Sequence, residues 1–259
     1  MANDLQPKNN VLPQELLDLA KQHAGRGVSF EAEDQLIPLI YVLQTNSPIV
    51  DRRSKDVYVE GAVPGHFWLR NAIHPIADGE KGIDVIPCGM QHTWIEWLPN
   101  RQGFVTRHNA QPRDMEARTT HTDDGKEKKI LCRPNGNLIQ DTREFYLIVD
   151  GQPYVLPCAG TKHLFARQWQ SMFHQYRHPQ TGDVMPSFIR KYKLTTFLQT
   201  KDQNKWYNIK FEDLGIVTTP EYKSGYILND SVQKGTRKAE APIAAHEEPP
   251  AANDDDIPF

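Results

Sequence analysis

The sequence predicts a mainly β chain with a few helices (α+β), organised around a five-stranded barrel of the OB type. Three observations lead there. From residue 57 onward the apolar residues recur mostly with a period of two. One stretch, 161–176, changes to three- and four-residue steps. From residue 83 the elements then run strand, strand, strand, helix, strand, strand, the order found in that barrel.

Taken in order, "PQELLDLAKQHAG" (13–25) reads as a helix, with proline near its start and glycine at its end. Residues 26–56 carry "FEAEDQLIPLIYVLQ", in which Pro38 breaks any helix, and they complete an N-terminal extension, 1–56. "VYVE" and "HFWLR" flank "GAVPG" as two short strands flank a turn. "IDVIPCGMQHTWIEW" (83–97) alternates over a long run, with a bulge or break expected at Pro87 and Gly89. Residues 100–140 are polar and turn-rich, a long insertion with at most one weak hairpin. "FYLIVDGQPYVLPC" (145–158) is a hairpin turning at Asp150-Gly151. The helix at 161–176 puts Phe165, Trp169, Met172, Phe173 and Tyr176 on one face, and "SFIRKYKLTTFLQT" and "KWYNIKFEDL" follow as strands. Residues 57–235 thus form the folded domain. Residues 236–259, rich in Ala, Pro and Glu, cannot bury enough apolar surface to fold and form a tether.

Composition narrows the function classes. The chain has 259 residues, 38% hydrophobic and 24% charged, with no apolar run near the roughly 20 residues of a membrane span. A polar start without a signal-peptide pattern leads to a cytoplasmic expectation. Three widely spaced cysteines argue against a disulfide framework. The net charge of −3 conceals a division: 236–259 carries −4 and the remainder about +1. Charge distribution, not its sum, bears on the partner.

Between Ala159 and Phe211 stand nine basic residues against Asp183 and Asp202, with ten of the chain's 24 aromatic residues. Single-stranded nucleic acid needs this mixture, cations for phosphates and flat rings for bases. Alternation assigns Tyr207, Ile209 and Phe211 inward, and Trp206, Asn208 and Lys210 outward. It assigns Tyr192, Leu194 and Leu198 inward, and Lys191, Lys193, Thr195 and Phe197 outward. In "HFWLR" it exposes Trp68 and Arg70. Trp68, Arg70, Trp94, Tyr146, Lys191, Lys193, Phe197, Trp206 and Lys210 are the candidate DNA contacts. A slip of one residue would exchange the two faces. Against this stands the plain alternative that aromatics are core and lysines merely solvated.

Other signals are weaker. Cys158, His163, His174 and His178, or Cys88 with His92, lack established zinc spacing. "AGRGVSF" is not a phosphate loop, and "FEAEDQL" lacks the second acidic cluster of a metal-dependent nuclease. No catalytic residue, metal or cofactor is expected.

The chain closes on Asp254, Asp255, Asp256, Ile257, Pro258 and Phe259. A terminal aromatic can fill an apolar pocket while its carboxylate and the aspartates meet a basic rim. These six residues resemble the C-terminal tip of bacterial single-stranded DNA-binding (SSB) proteins, an acidic run followed by Ile-Pro-Phe. The resemblance implies that the tip recruits replication, recombination and repair proteins, with Phe259 as the main anchor. The body departs from the bacterial family in its long extension, its insertion and its short tether. It is more similar to SSB proteins of bacteriophages, which "GIDVIPC" and "TWIEW" also resemble, and this implies action in a bacterial host's cytoplasm. The expectation is a non-enzymatic protein that coats single-stranded DNA and recruits partners through its tip. The rivals are a strand-annealing recombination protein, a nuclease carrying a borrowed recruitment peptide, and an adaptor without DNA binding. Oligomeric state, including a homo-oligomer, is left open by the sequence.

Overall fold

The computed structural model describes residues 14–22, 36–54, 57–69, 75–121, 127–201 and 204–242. Its first element, α1 (Gln14–Gln22), is the helix expected at 13–25, with Glu15 in the first turn and Lys21 in the last, as the helix dipole favours. Three short strands follow: β1 (Leu36–Ile37), β2 (Ile40–Val42) and β3 (Phe67–Leu69). β2 and β3 pair antiparallel, with Tyr41 opposite Trp68. The strand expected at 57–60 is absent; the chain turns there, and the Val59 N–H donates to the Ile49 carbonyl at 3.0 Å.

β4 (Ile83–Trp97) is the longest strand, and its register with a neighbour shifts between Pro87 and Gly89, where the sequence placed a bulge. β5 (Phe104–His108), β6 (Glu116–His121) and β7 (Glu127–Cys132) occupy the region read as an insertion, with β6 and β7 as its hairpin. β8 (Leu138–Val149) and β9 (Gln152–Ala159) make the expected second hairpin. Asp150 and Gly151 both take positive φ, 47° and 77°, so this two-residue turn suits an aspartate-glycine pair and matches the strand twist. α2 (His163–Gln175) follows a short turn of 3₁₀ helix, and the hairpin of β10 (Arg190–Lys201) and β11 (Asn204–Ile216) comes next. α3 (Thr219–Gln233) and β12 (Lys238–Ala239) complete the described chain.

Eight strands join in one sheet, ordered β11-β10-β4-β8-β7-β6, with β5 added on β4 and β9 on β8. The path is open, and the described strands do not close into a barrel. The fold is mainly β with few helices, and the OB order of elements is interrupted by β5 to β7.

Core side chains lie on both faces of this sheet. On β8, Phe145, Leu147 and Val149 pack with Phe165 and Trp169 of α2, while Tyr146 and Ile148 pack with Leu228 and Val232 of α3. Residues 145–149 of β8 therefore read as a continuous apolar run, as a strand covered on both sides must. α3 was not anticipated. Its sequence is rich in Tyr, Gly, Asn and Ser, but its start carries a capping box, in which Thr218 N–H donates to Glu221 Oε2 at 2.7 Å and the Thr218 hydroxyl accepts from the Glu221 N–H.

Residues on either side of the boundaries expected at 56/57 and 235/236 pack against one another. Ile37, Leu39, Ile40 and Val42 are buried in the two clusters, and β1 pairs in parallel with β12. Residues 36–54 and 236–242 belong to the same packed body. All three cysteines are buried, and none is in a disulfide.

Candidate nucleic-acid interface

In the β10–β11 hairpin, residues directly opposite each other share a face. Lys193 faces Glu212, Thr195 faces Lys210, Phe197 faces Asn208 and Gln199 faces Trp206. Lys193, Phe197, Lys210 and Trp206, four of the sequence candidates, therefore lie along one strip. Phe197 is 39% exposed, a large apolar ring in water, and Lys210 is exposed beside it. Lys193 is half-buried, with Nζ at 3.6 Å from Asp84 Oδ1. Lys205 and Lys201 extend the basic character to the tip, both exposed.

Trp206 does not face solvent, as the alternation predicted. It is 6% exposed, and its neighbour Asn208 is covered by the Gly160–Lys162 turn, whose Thr161 carbonyl accepts from Asn208 Nδ2 at 3.3 Å. Trp68 is likewise buried, because the β2–β3 ribbon is packed on both faces and alternation cannot separate core from surface there. Tyr146 is buried beneath α3, and its hydroxyl donates to Gln91 Oε1 at 2.9 Å. Burial, helped by the nearby Glu144 carboxylate, pushes its phenol well above the ordinary range. None of these three rings can stack on a base in this structure.

Leu198, assigned inward, is exposed, because the strand has run past the core and Thr196 takes the last buried position. Lys191 is half-buried, its Nζ 3.3 Å from Glu221 Oε1 of α3, beyond a bulge that separates it from the strip. Trp94 is half-buried and rests against His92, with ring centroids 5.1 Å apart. It lies roughly 30 Å along β4 from the residues that pair with β10, so it does not join the hairpin strip. Arg70 and the tip residues 254–259 lie outside the described residues.

The hairpin base is fixed by a second set of polar contacts. Arg190 stacks 4.1 Å over the Tyr176 ring and donates to Asp213 at 3.1 Å, while the Tyr176 hydroxyl also donates to Asp213. Burial opposes ionisation of Asp213, but these bonds and the Gly215 N–H together hold its carboxyl below the usual range. The outer edge of β11 is closed by Gln44, whose amide donates to the Tyr207 carbonyl at 3.1 Å and accepts from the Tyr207 N–H at 2.8 Å. A side chain thus takes the place of a neighbouring strand and blocks edge pairing at this point.

Three of the histidines weighed for zinc have other partners. His163 contacts the Arg143 guanidinium and the Asp141 carbonyl, Cys158 is buried, and His178 Nδ1 accepts from two backbone N–H groups of its own turn. Cys88 is buried, while His92 is exposed and bonded to Asp141 at 2.7 Å. Among the described residues no three His, Cys, Asp or Glu side chains gather as metal ligands. No described helix is long and apolar enough to cross a membrane.

Compared with known sequence families, residues 8–238 match the Pam3 phage gp34-like protein family. The chain belongs to that family. Its name is that of a phage protein, which supports a phage origin for this gp34-like chain. No curated protein and no solved structure matches it.

Sequence reasoning missed one polar site in this gp34-like chain. Glu144 is buried on β8, just before its apolar run, and its Oε1 accepts from Arg107 at 2.9 Å. Arg107 also donates to the carbonyls of Ala239 and Glu240, at 3.1 and 2.9 Å, and so holds the C-terminal segment against the sheet. Burial pushes the Glu144 carboxyl up although Arg107 opposes it. The available signal was a lone acid in the strand run "EFYLIV".

Proposed function

We propose that this protein binds single-stranded DNA with little sequence specificity, using the β10–β11 hairpin as its contact surface. The observation that carries the reading is the exposed Phe197 ring in one strip with Lys193 and Lys210. A ring in that setting can stack on a base while the lysines meet flanking phosphates. Lys201 lengthens the cationic track towards the tip. The interface does not depend on a closed barrel, and the open sheet presents the hairpin at its edge. The acidic tip, with Phe259 as anchor, recruits replication, recombination or repair proteins of a bacterial host.

A second reading, strand annealing, draws on a different observation. Ile216, Tyr226 and Ile227 are exposed near and on α3, and apolar groups of this kind suit self-association into the rings or filaments that annealing uses.

The test is a titration of the protein with labelled oligo-dT at low and moderate salt, with an equal-length duplex as competitor. Tight binding that weakens with salt and resists the duplex supports the reading. No binding at low salt overturns it. Accelerated pairing of complementary strands by a large assembly would favour annealing.

A further inference from the structure

At the base of the hairpin strip lies a recess of about 320 Å³, within the size range of small-molecule sites. Ile86 of β4 and Ile148 of β8, both buried, give it an apolar floor, and the first turn of α3 supplies a wall that includes Glu221. Asp84 and Asp150 bring carboxylates to it, and Lys191 brings an ammonium. The strand register joins this recess to the strip. Lys193 pairs with Asp84 across β10 and β4, so the two side chains share a face, and Lys193 Nζ lies 3.6 Å from Asp84 Oδ1. Phe197 stands four residues farther along the same face of β10, about 13 Å at the rise of a strand. A DNA strand with one base on Phe197 therefore reaches the recess with a nearby nucleotide.

The charged groups divide by role. Glu221 is engaged within the protein: its Oε2 accepts from the Thr218 N–H at 2.7 Å and its Oε1 accepts from Lys191 Nζ at 3.3 Å. It thereby fixes Lys191 at the recess, where the ammonium can meet a phosphate together with Lys193. The Asp84–Lys193 contact is longer than a hydrogen bond, and Asp150 lies in the exposed β8–β9 turn. These two carboxylates offer acceptors beside an apolar floor, which suits the polar edge and flat face of a nucleobase. We propose that the recess receives one unstacked base of the bound strand and favours guanine over thymine. Guanine presents adjacent N1–H and N2–H donors to a carboxylate. Thymine presents one N–H between two carbonyl oxygens, which the carboxylates repel. This inference rests on the single-strand reading and adds a base preference to it.

The experiment compares oligo-dT with the same oligomer carrying one central dG, on the full-length protein. Wild type should bind the dG oligomer about fivefold more tightly, the lower end for one base contact, because these carboxylates are partly exposed. The double variant Asp84→Asn, Asp150→Asn keeps both shapes, and Asn-Gly suits the β8–β9 turn as well as Asp-Gly does. It should lose the dG preference while binding oligo-dT more tightly, since two negative charges beside the strip are gone. A misfolded protein cannot give that pair of changes. Replacing the dG by deoxyinosine, which lacks the N2 amino group, should remove most of the gain without altering the protein. Equal affinity for dG and dT oligomers, with oligo-dT binding intact, overturns the base recess and leaves the hairpin reading standing. If neither oligomer binds at low salt, the single-strand reading falls and the recess with it. A dG gain that persists in the double variant, or a deoxyinosine oligomer that binds like the dG one, also overturns the assignment.

Discussion

At the residue scale, three aromatic side chains that alternation assigns outward have different fates. Phe197 is exposed, whereas Trp206 and Trp68 are buried. Phe197→Ala should therefore weaken oligo-dT binding by about 1–3 kcal/mol, the range for one stacked base, and barely change the melting temperature. Trp206→Ala and Trp68→Ala should instead cost roughly 3–5 kcal/mol of stability. Binding titrations and urea melts on the three variants separate the roles. A Phe197→Ala protein that binds normally would remove the ring from the interface. Arg107→Ala is a further test at this scale. It leaves the buried Glu144 carboxylate uncompensated and should cost about 3–5 kcal/mol in a urea melt.

Glu96 adds a pH dependence. Burial raises its carboxyl, but hydrogen bonds from Asn137, His108 and Arg133 outweigh that and hold it below its ordinary 4.5. A depressed folded-state value means the contribution is complete above about pH 4.5 and is lost as pH falls through the lower value. Melting temperature should drop across that acid range, and Glu96→Gln should flatten that part of the curve. An unchanged pH profile in the variant would contradict the assignment.

At the scale of elements, α3 shows what a sequence can and cannot reveal. Its capping box was written in Thr218 and Glu221, but its interior looks like a poor helix. Gly225 explains part of that: a Cβ there would lie 2.7 Å from Phe188 Cβ, so the glycine permits close packing. Gly225→Ala gains about 1 kcal/mol in helix propensity, yet overpacking of about 1–3 kcal/mol should dominate. The net sign, read from a thermal melt, should be destabilising. The hairpin at Asp150-Gly151, the bulge in β4 and α2 were legible because their signals are local. The burial of Tyr146 was not, because it depends on α3 covering a face that period-two alternation assigns to solvent. Trp206 was misassigned for a related reason, since the Gly160–Lys162 turn reaches its strand from a distant part of the chain. The site at Glu144 needed the same non-local information.

For the whole molecule, the open sheet with helices on both faces replaces the expected barrel, and the mainly β character with few helices is what periodicity had shown. The division into extension, domain and tether was drawn from composition. Composition could not show that a two-residue strand near position 36 finds its partner near position 238. That pairing also has a bearing on time. The Leu39 N–H donates to Glu240 across 201 positions, and the Arg107 clamp spans more than 130. Closing such loops costs chain entropy before any contact rewards it, so these bonds belong late in folding. Interactions formed after the rate-limiting step govern how fast a protein comes apart more than how fast it assembles. The β1–β12 seam thus acts as a latch on lifetime, and loosening it should shorten the survival of the native state while leaving refolding speed almost untouched.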